Sequence, residues 1–314
     1  MVVRSSAVGE DGAVGSAAGQ YDSFLGVQGV DAVMDAVRCC QASVWSARAT
    51  AYRKDQPAPA MAVIIQRHLD ADVAGVMFTA DDGPTLIEAS WGLGPSVVEG
   101  RITPDRYEVN AGTVTRTIAD KPTSLDRVGP NLVVRSVPRA QRRTPTLTDA
   151  TAVRLAALGH RAATTFGSPQ DLEWAITGET LWLLQSRPIT ARPPTQPAPA
   201  ARLVETGIPA SQGTASGPAR IVRGPSDFPH VRPGDILVCP QTDPSWTPLL
   251  SIAAGIITET GGILSHAAIV AREHGIPAVV AVPQATTRIR ADTAVTIDGS
   301  TGEVHTVAGA RGGS

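Results

Sequence analysis

The segment ARPPTQPAPAAR at residues 191–202 sets the first constraint on this 314-residue chain. It holds four prolines and four alanines in twelve positions. Proline fixes φ and removes a backbone donor, so neither a helix interior nor a central strand runs through such a segment. It favours an extended polyproline path, which at about 3.1 Å per residue spans roughly 35 Å. The chain is thereby expected to form one domain over 1–190 and a second over 203–308, followed by a tail at 309–314. Both are long enough to bury a core of their own. A passive spacer and a tether between moving domains share this composition.

Strand and helix patterns alternate on both sides of the segment, which makes the fold class α/β (α+β). Before it, Val30, Val33, Val37, Val44 and Trp45 recur at helical spacing and predict a helix over 30–52. AMAVIIQRHL (60–69), VAGVMFTA (73–80) and TLIEAS (85–90) read as strands, and 148–166 as an amphipathic helix closed by Gly167 and Pro169. After it come the short apolar runs ARIVRG, DILVCP, AGIITE, PAVVAV and TAVTIDG, with one helix among them. That is a compact α/β domain.

Composition excludes several function classes. The formal charge of −2 gives no general nucleic-acid or membrane surface. No apolar run approaches the ~18 residues of a membrane span. Cys39, Cys40 and Cys239 form neither a disulfide framework nor a zinc pattern, and a reducing cytoplasm is the expected setting.

DLEWAITGETLWLLQSR (171–187) reads as two strands about a turn at Gly178. Folding it there sets Glu173 opposite Gln185, and alternation gathers Asp171, Glu173, Gln185 and Arg187 on one face. Leu172, Trp174, Trp182 and Leu184 are expected on the other. A carboxylate and an amide carbonyl are suitable oxygen ligands for Mg²⁺, and an arginine can fork onto phosphate oxygens. An ordinary amphipathic hairpin with a wet polar face has the same pattern.

The opening VVRSSAVGEDGAVGSAAGQYDSFLGV joins an arginine at the end of an apolar run to a Gly/Ser/Ala stretch. Backbone amides in such a loop can approach phosphate closely. It carries neither a G-x-G-x-x-G nor a P-loop pattern, and a loop without a ligand reads the same way.

In GGILSHAAIVAREHGIPAVV (261–280), Ser265 is a good N-cap and Gly275 with Pro277 a good stop. The resulting short helix starts at His266. Its free N–H groups and dipole favour an anion at that point, as a phosphorylated imidazole would supply. Gly261 and Gly262 let the backbone crowd the same spot. A helix-start histidine without chemistry shares these features. His274 is explained by the dipole at the helix C-terminus.

Taken together, these stretches resemble the phosphoenolpyruvate synthase, pyruvate phosphate dikinase and rifampin phosphotransferase family over nearly the whole chain. VVRSSAVGED, AAGQYDSFLGV, IEASWGLG and DLEW…LLQSRPIT are similar to the later part of its ATP-grasp nucleotide-binding domain. GDILVCPQTDPSWTPLL, TETGGILSHAAIVAREHGIPAVV and VTIDGSTGEV are similar to its swivelling β/β/α phosphohistidine domain. Small departures are Pro95, where an acid is usual, and SAAGQ in place of SFAGQ.

The resemblance implies that His266 is the phosphorylated histidine, and that Glu173 and Gln185 hold Mg²⁺ on ATP. It implies phosphate contacts from Arg187 and Arg4, and places Gly19 and Ser23 in the nucleotide loop. Gln66 is implied beside the adenine, and Glu88 as a further nucleotide contact. The implied activity is an ATP-dependent phosphotransferase component: ATP phosphorylates His266, which passes the phosphoryl group to pyruvate or a small-molecule hydroxyl. Synthase and transferase branches release AMP and phosphate, whereas the dikinase branch takes in phosphate and releases pyrophosphate. The family's first nucleotide lobe, with its phosphate-binding lysine, and its acceptor domain have no counterpart in the sequence. A partner chain is expected to supply them. A non-catalytic truncated relative and an ATP-dependent ligase subunit of secondary metabolism are the alternative readings.

Overall fold

The computed structural model describes residues 1–12, 15–16, 20–53, 56–189 and 205–306. Gly19, the Pro/Ala-rich segment 191–202 and the tail 309–314 lie outside them. The chain divides into two compact units, one of Met1–Val98 with Ile102–Thr190, the other of Glu99–Arg101 with Ala191–Ser314.

The first unit is built on a six-stranded antiparallel sheet in the order Thr180–Pro188, Gln170–Thr177, Val73–Phe78, Thr85–Trp91, Asp105–Asn110, Thr113–Thr117. Helix Asp149–Phe166 lies on one face, burying Ala152, Leu155 and Ala156 against Met77, Ile87, Tyr107, Leu172 and Trp174. Thr148 caps its start by accepting the Thr151 N–H, and Gly167 ends it in the left-handed region, so the predicted boundaries hold. Gly159 allows the close approach: a Cβ there would sit 2.8 Å from the Met77 sulfur.

A smaller sheet orders Ser23–Phe24, Val2–Ala7 and Met61–Gln66 antiparallel. One face is covered by helix Val30–Ala42, through Val3, Ala36 and Cys40 with Val33, Val37 and Val63. The predicted helix over 30–52 is broken: a 3-10 turn spans Ser43–Trp45, Ser46 is extended, and a second helix runs Ala47–Arg53. Two serines cause the break. The Ser43 hydroxyl donates to the Cys40 carbonyl and accepts the Asp22 N–H, while the Ser46 hydroxyl accepts the Ala49 N–H. Trp45 leaves the apolar stripe and is exposed, with the Arg53 guanidinium over its ring.

The second unit is a mixed eight-stranded sheet. Strands Thr214–Ile221, Ile236–Cys239, Gly255–Thr258 and Ala278–Val280 run parallel at its centre. The last three are buried throughout, as strands covered on both faces must be. Helix His266–His274 connects Gly255–Thr258 to Ala278–Val280 and buries Ala267, Ala268, Val270 and Ala271 in the core. Among the described residues no helix is long and apolar enough to cross a membrane.

Candidate functional site

In the first unit, register assembles the site. Glu173 pairs with Gln185 and Asp171 with Arg187 across the hairpin, as alternation about Gly178 predicts. Directly opposed residues share a face, so a row runs across the sheet from Gln185 through Glu173, Val76 and Glu88 to Arg106. This face is turned away from helix Asp149–Phe166. Glu88 is two strands from Glu173, roughly 10 Å at the usual strand spacing, and is buried.

The apolar face differs from the expectation. Register shifts between Glu173 and Trp174, so Trp174 pairs with Leu183 and Ala175 with Trp182. The extra residue, Leu184, reverses the parity of the strand beyond it. Trp182 and Leu184 therefore lie on the carboxylate face, and Leu184 packs with Ala74, Leu93 and Ala175.

Arg4, Ser23 and Gln66 share one face of the smaller sheet. Arg4 pairs with both Ser23 and Ile64, and Gln66 pairs with Val2. From that face the Arg4 guanidinium donates to Gln185 Oε1 and joins the two sheets. The stretch ahead of Ser23 is tied down by Arg48, which donates to the Gln20 carbonyl at 2.9 Å and pairs with Asp22. Tyr21 is buried against Val44 and Ala49.

Arg187 is buried, and its Nε donates to Asp171 Oδ2 at 2.7 Å. Asp171 was legible in the sequence only as a face-mate. The structure gives it the task of orienting the Arg187 fork, and its buried Oδ1 has no hydrogen-bond partner among the described residues. Such an oxygen calls for a cation or a donor. Glu173 and Gln185 supply one carboxylate and one amide oxygen side by side, a donor set that fits Mg²⁺ with the rest of its shell in water and phosphate. Among the described residues no group of three or more His, Cys, Asp and Glu forms a metal cluster, and a cation of this kind does not require one.

In the second unit, His266 opens its helix, and Gly275 closes it in the left-handed region. Ser265 occupies the N-cap position without capping by its side chain; the hydroxyl donates to the Gly262 carbonyl at 2.8 Å and tightens the preceding turn. Gly261 has φ of +112°, which explains the first of the glycine pair. Arg272 Nη1 reaches back from the helix to the Ile263 and Ala210 carbonyls, at 2.8 and 2.7 Å, and fixes the loop.

The residue missed from the sequence is Thr242. Its Oγ1 lies 2.9 Å from His266 Nδ1. Thr242 follows strand Ile236–Cys239 and His266 follows the adjacent parallel strand Gly255–Thr258, so both emerge at strand carboxyl ends, where open α/β sheets bind ligands. The only advance signal was that each follows an apolar β run.

One unit sets an oxygen pair fit for a cation beside two arginines, and the other sets a histidine at a helix start. Such groups fit the class of proteins that bind nucleotides and handle phosphate. The family model described as pyruvate phosphate dikinase, AMP/ATP-binding domain, matches residues 1–206, and that described as PEP-utilising enzyme, mobile domain, matches residues 231–302. The chain belongs to the phosphoenolpyruvate synthase and pyruvate phosphate dikinase family.

The chain is 42% identical to a probable phosphoenolpyruvate synthase of Methanothermobacter thermautotrophicus, over 97% of this chain and 47% of the relative. The phosphoenolpyruvate synthases of Pyrococcus furiosus and Escherichia coli are 37% and 36% identical, over 97% and 96% of this chain and 41% and 43% of their own lengths. The chain thus spans less than half the length of each. Among solved structures, an Enzyme I protein is 33% identical over 23% of this chain with a TM-score of 0.22, which carries no argument about fold.

Proposed function

We propose that this chain is the nucleotide-binding and phosphohistidine part of an ATP-dependent phosphotransferase. ATP phosphorylates His266, which then passes the phosphoryl group to an acceptor such as pyruvate or a small-molecule hydroxyl. The acceptor site and the second wall of the ATP pocket belong to another chain or domain. The first domain covers 1–190 and the second 203–308, with 191–202 as the tether that lets His266 travel. Three free cysteines suit a cytoplasmic setting.

The observation that carries this reading is the Glu173–Gln185 pairing, with Arg4 on the amide and Arg187 on the same face. Glu173 and Gln185 would hold Mg²⁺, which when bound neutralises charge on the phosphate oxygens. Arg4 and Arg187 contact phosphates, with Arg187 held in orientation by Asp171. Gly19 and Ser23 are nucleotide contacts, Gln66 serves the adenine, and Glu88 is a further contact.

At the second site Thr242 Oγ1 lies 2.9 Å from Nδ1; with the Nδ1 proton donated to that hydroxyl, Nε2 bears the lone pair. Nε2 forms the bond to the β-phosphorus as the phosphorus–oxygen bond to AMP breaks and its electron pair leaves on the AMP oxygen. The γ-phosphate is then lost to water as phosphate, or to inorganic phosphate as pyrophosphate, leaving the β-phosphoryl group on nitrogen. Amides at the helix start receive the charge carried on histidine. Transfer to the acceptor breaks the nitrogen–phosphorus bond and returns the imidazole.

The test is labelling from β-³²P ATP, with the remainder of the ATP site supplied. Acid-labile label lost in His266→Ala and kept in His274→Ala supports the reading. Absence of label on the folded wild-type protein sinks it.

A further inference from the structure

Where the tip of the Gln170–Pro188 hairpin passes the edge of helix Asp149–Phe166, a groove of about 540 Å³ opens between them. It is lined by Arg154, Ala157, Leu158 and Arg161 from the helix and by the tip from Glu179 to Leu181. Leu181 packs with the core under that helix, so the groove lies on the helix side of the sheet. Glu173, Gln185 and Glu88 occupy the other side, and nothing in the phosphate site uses this groove.

Arg154, Leu158 and Arg161 follow one another at spacings of four and three, which sets them in one stripe along the helix. At 1.5 Å per residue the two arginine Cα atoms stand roughly 10 Å apart along the axis. Leu158 lies between them and Leu181 lines the opposite wall, both half-buried, so the floor is hydrocarbon. The opposite wall is pinned: Gly178 turns in the left-handed region, and its N–H donates to Asp72 Oδ2 at 2.7 Å. Neither guanidinium takes an ion pair or hydrogen bond among the described residues, and nor does the Glu179 carboxylate. Asp149, at the start of the same helix, is by contrast paired with Arg116 at 3.1 Å.

We infer that this groove binds a small aliphatic dicarboxylate, with one carboxylate on Arg154, the other on Arg161 and the chain on Leu158 and Leu181. A guanidinium fork matches a carboxylate with two parallel hydrogen bonds. Two such forks at the ends of an apolar floor favour an anion at each end of a short hydrocarbon over a compact inorganic ion. The volume falls in the range of small-molecule sites, about 300–1,000 Å³. Two arginines against one glutamate leave a single positive charge in excess, which attracts a small anion, while Glu179 repels a polyanion such as a nucleoside triphosphate. The inference stands independently of the nucleotide reading.

Calorimetric titration of the full chain with glutarate tests this. The comparison ligands are pentanoate, which has the same five carbons and one carboxylate, and sulfate, which has no hydrocarbon. Glutarate is expected to bind with a Kd of about 0.1–1 mM, and pentanoate and sulfate at least about tenfold more weakly. Arg154→Ala and Arg161→Ala should each weaken glutarate about tenfold, with Arg161→Lys, which keeps the charge and loses the fork, falling between. Glu179→Gln should tighten glutarate several-fold, since it removes a like charge from the groove. Circular dichroism of each variant controls for folding. No heat from wild type at about 10 mM glutarate overturns the inference. So does unchanged affinity in both arginine-to-alanine variants, which places glutarate elsewhere. Pentanoate or sulfate bound as tightly as glutarate makes the arginines an unselective cationic surface and overturns it equally.

Discussion

Glu173 and Gln185 stand directly opposite each other across the Gln170–Pro188 hairpin, one step from the bulge that separates Glu173 from Trp174. The pairing puts a carboxylate beside an amide oxygen that already accepts from Arg4. One residue of slip would send Glu173 to the opposite face, among the core side chains.

Removing the acid is therefore expected to stop charge transfer without unfolding the sheet. Glu173→Ala and Arg187→Ala should each lower His266 phosphorylation by at least about 100-fold, the scale of losing one key electrostatic group. Labelling from β-³²P ATP reads the loss, with circular dichroism as the control for folding. Near-wild-type labelling in both variants would remove the hairpin from the site.

A second expectation concerns stability. Asp105 and Lys121 are fully buried and paired at 2.6 Å, and the same carboxylate accepts the N–H groups of Ala119 and Thr146. Lys121→Met leaves that carboxylate without its counter-charge, so it should cost about 3–5 kcal/mol. Urea denaturation measures it. The added change Asp105→Asn should cost less than the sum of the single variants, because the two groups act together.

Alternation and turn chemistry made the hairpin register legible, since Gly178 fixes the fold-back and period two does the rest. The bulge was not legible. One extra residue leaves the pattern on either side intact, so Trp182 and Leu184 read as sharing the face of Leu172 and Trp174, whereas they lie on the carboxylate face. The break at Ser43 and Ser46 was missed for a related reason: apolar spacing carries through it, while two hydroxyls take over the local hydrogen bonds. His266 stood out because its helix signals are local. Thr242 did not, because parallel strand pairing joins residues 24 apart in sequence.

A third expectation is a pH dependence set by His68. Its Nδ1 accepts the Gly26 N–H at 2.9 Å, and Arg127 stands nearby, paired through its Nε to Asp70 at 2.7 Å. Burial, then the charges of Arg127 and the chain N-terminus, hold the imidazole pKa below its ordinary value, with Asp70 opposing. The unfolded chain then binds more protons than the folded one in mild acid. This contribution to stability is present above the unfolded value of about 6.5 and is lost as pH falls through the lower folded value. Melting temperature should fall between neutral pH and about pH 5 more steeply in wild type than in His68→Asn, which keeps an acceptor and cannot titrate. Parallel slopes would show that His68 is not the responsible group.

The last expectation separates orientation from folding at the histidine. Thr242 Oγ1 is the hydrogen-bond partner of His266 Nδ1, at 2.9 Å, and orients the ring. Thr242→Val preserves shape and removes that partner, so phosphorylation of His266 should slow about 10- to 100-fold, the range for unpairing a buried polar group. Thr242→Ser should restore most of the rate, since it returns the hydroxyl without the methyl. A purely structural role would give the reverse order, because valine fills the site better than serine. Single-turnover labelling at several pH values decides it: loss of the hydrogen bond to Nδ1 moves the pH profile of the rate, whereas loss of packing lowers the amplitude at every pH.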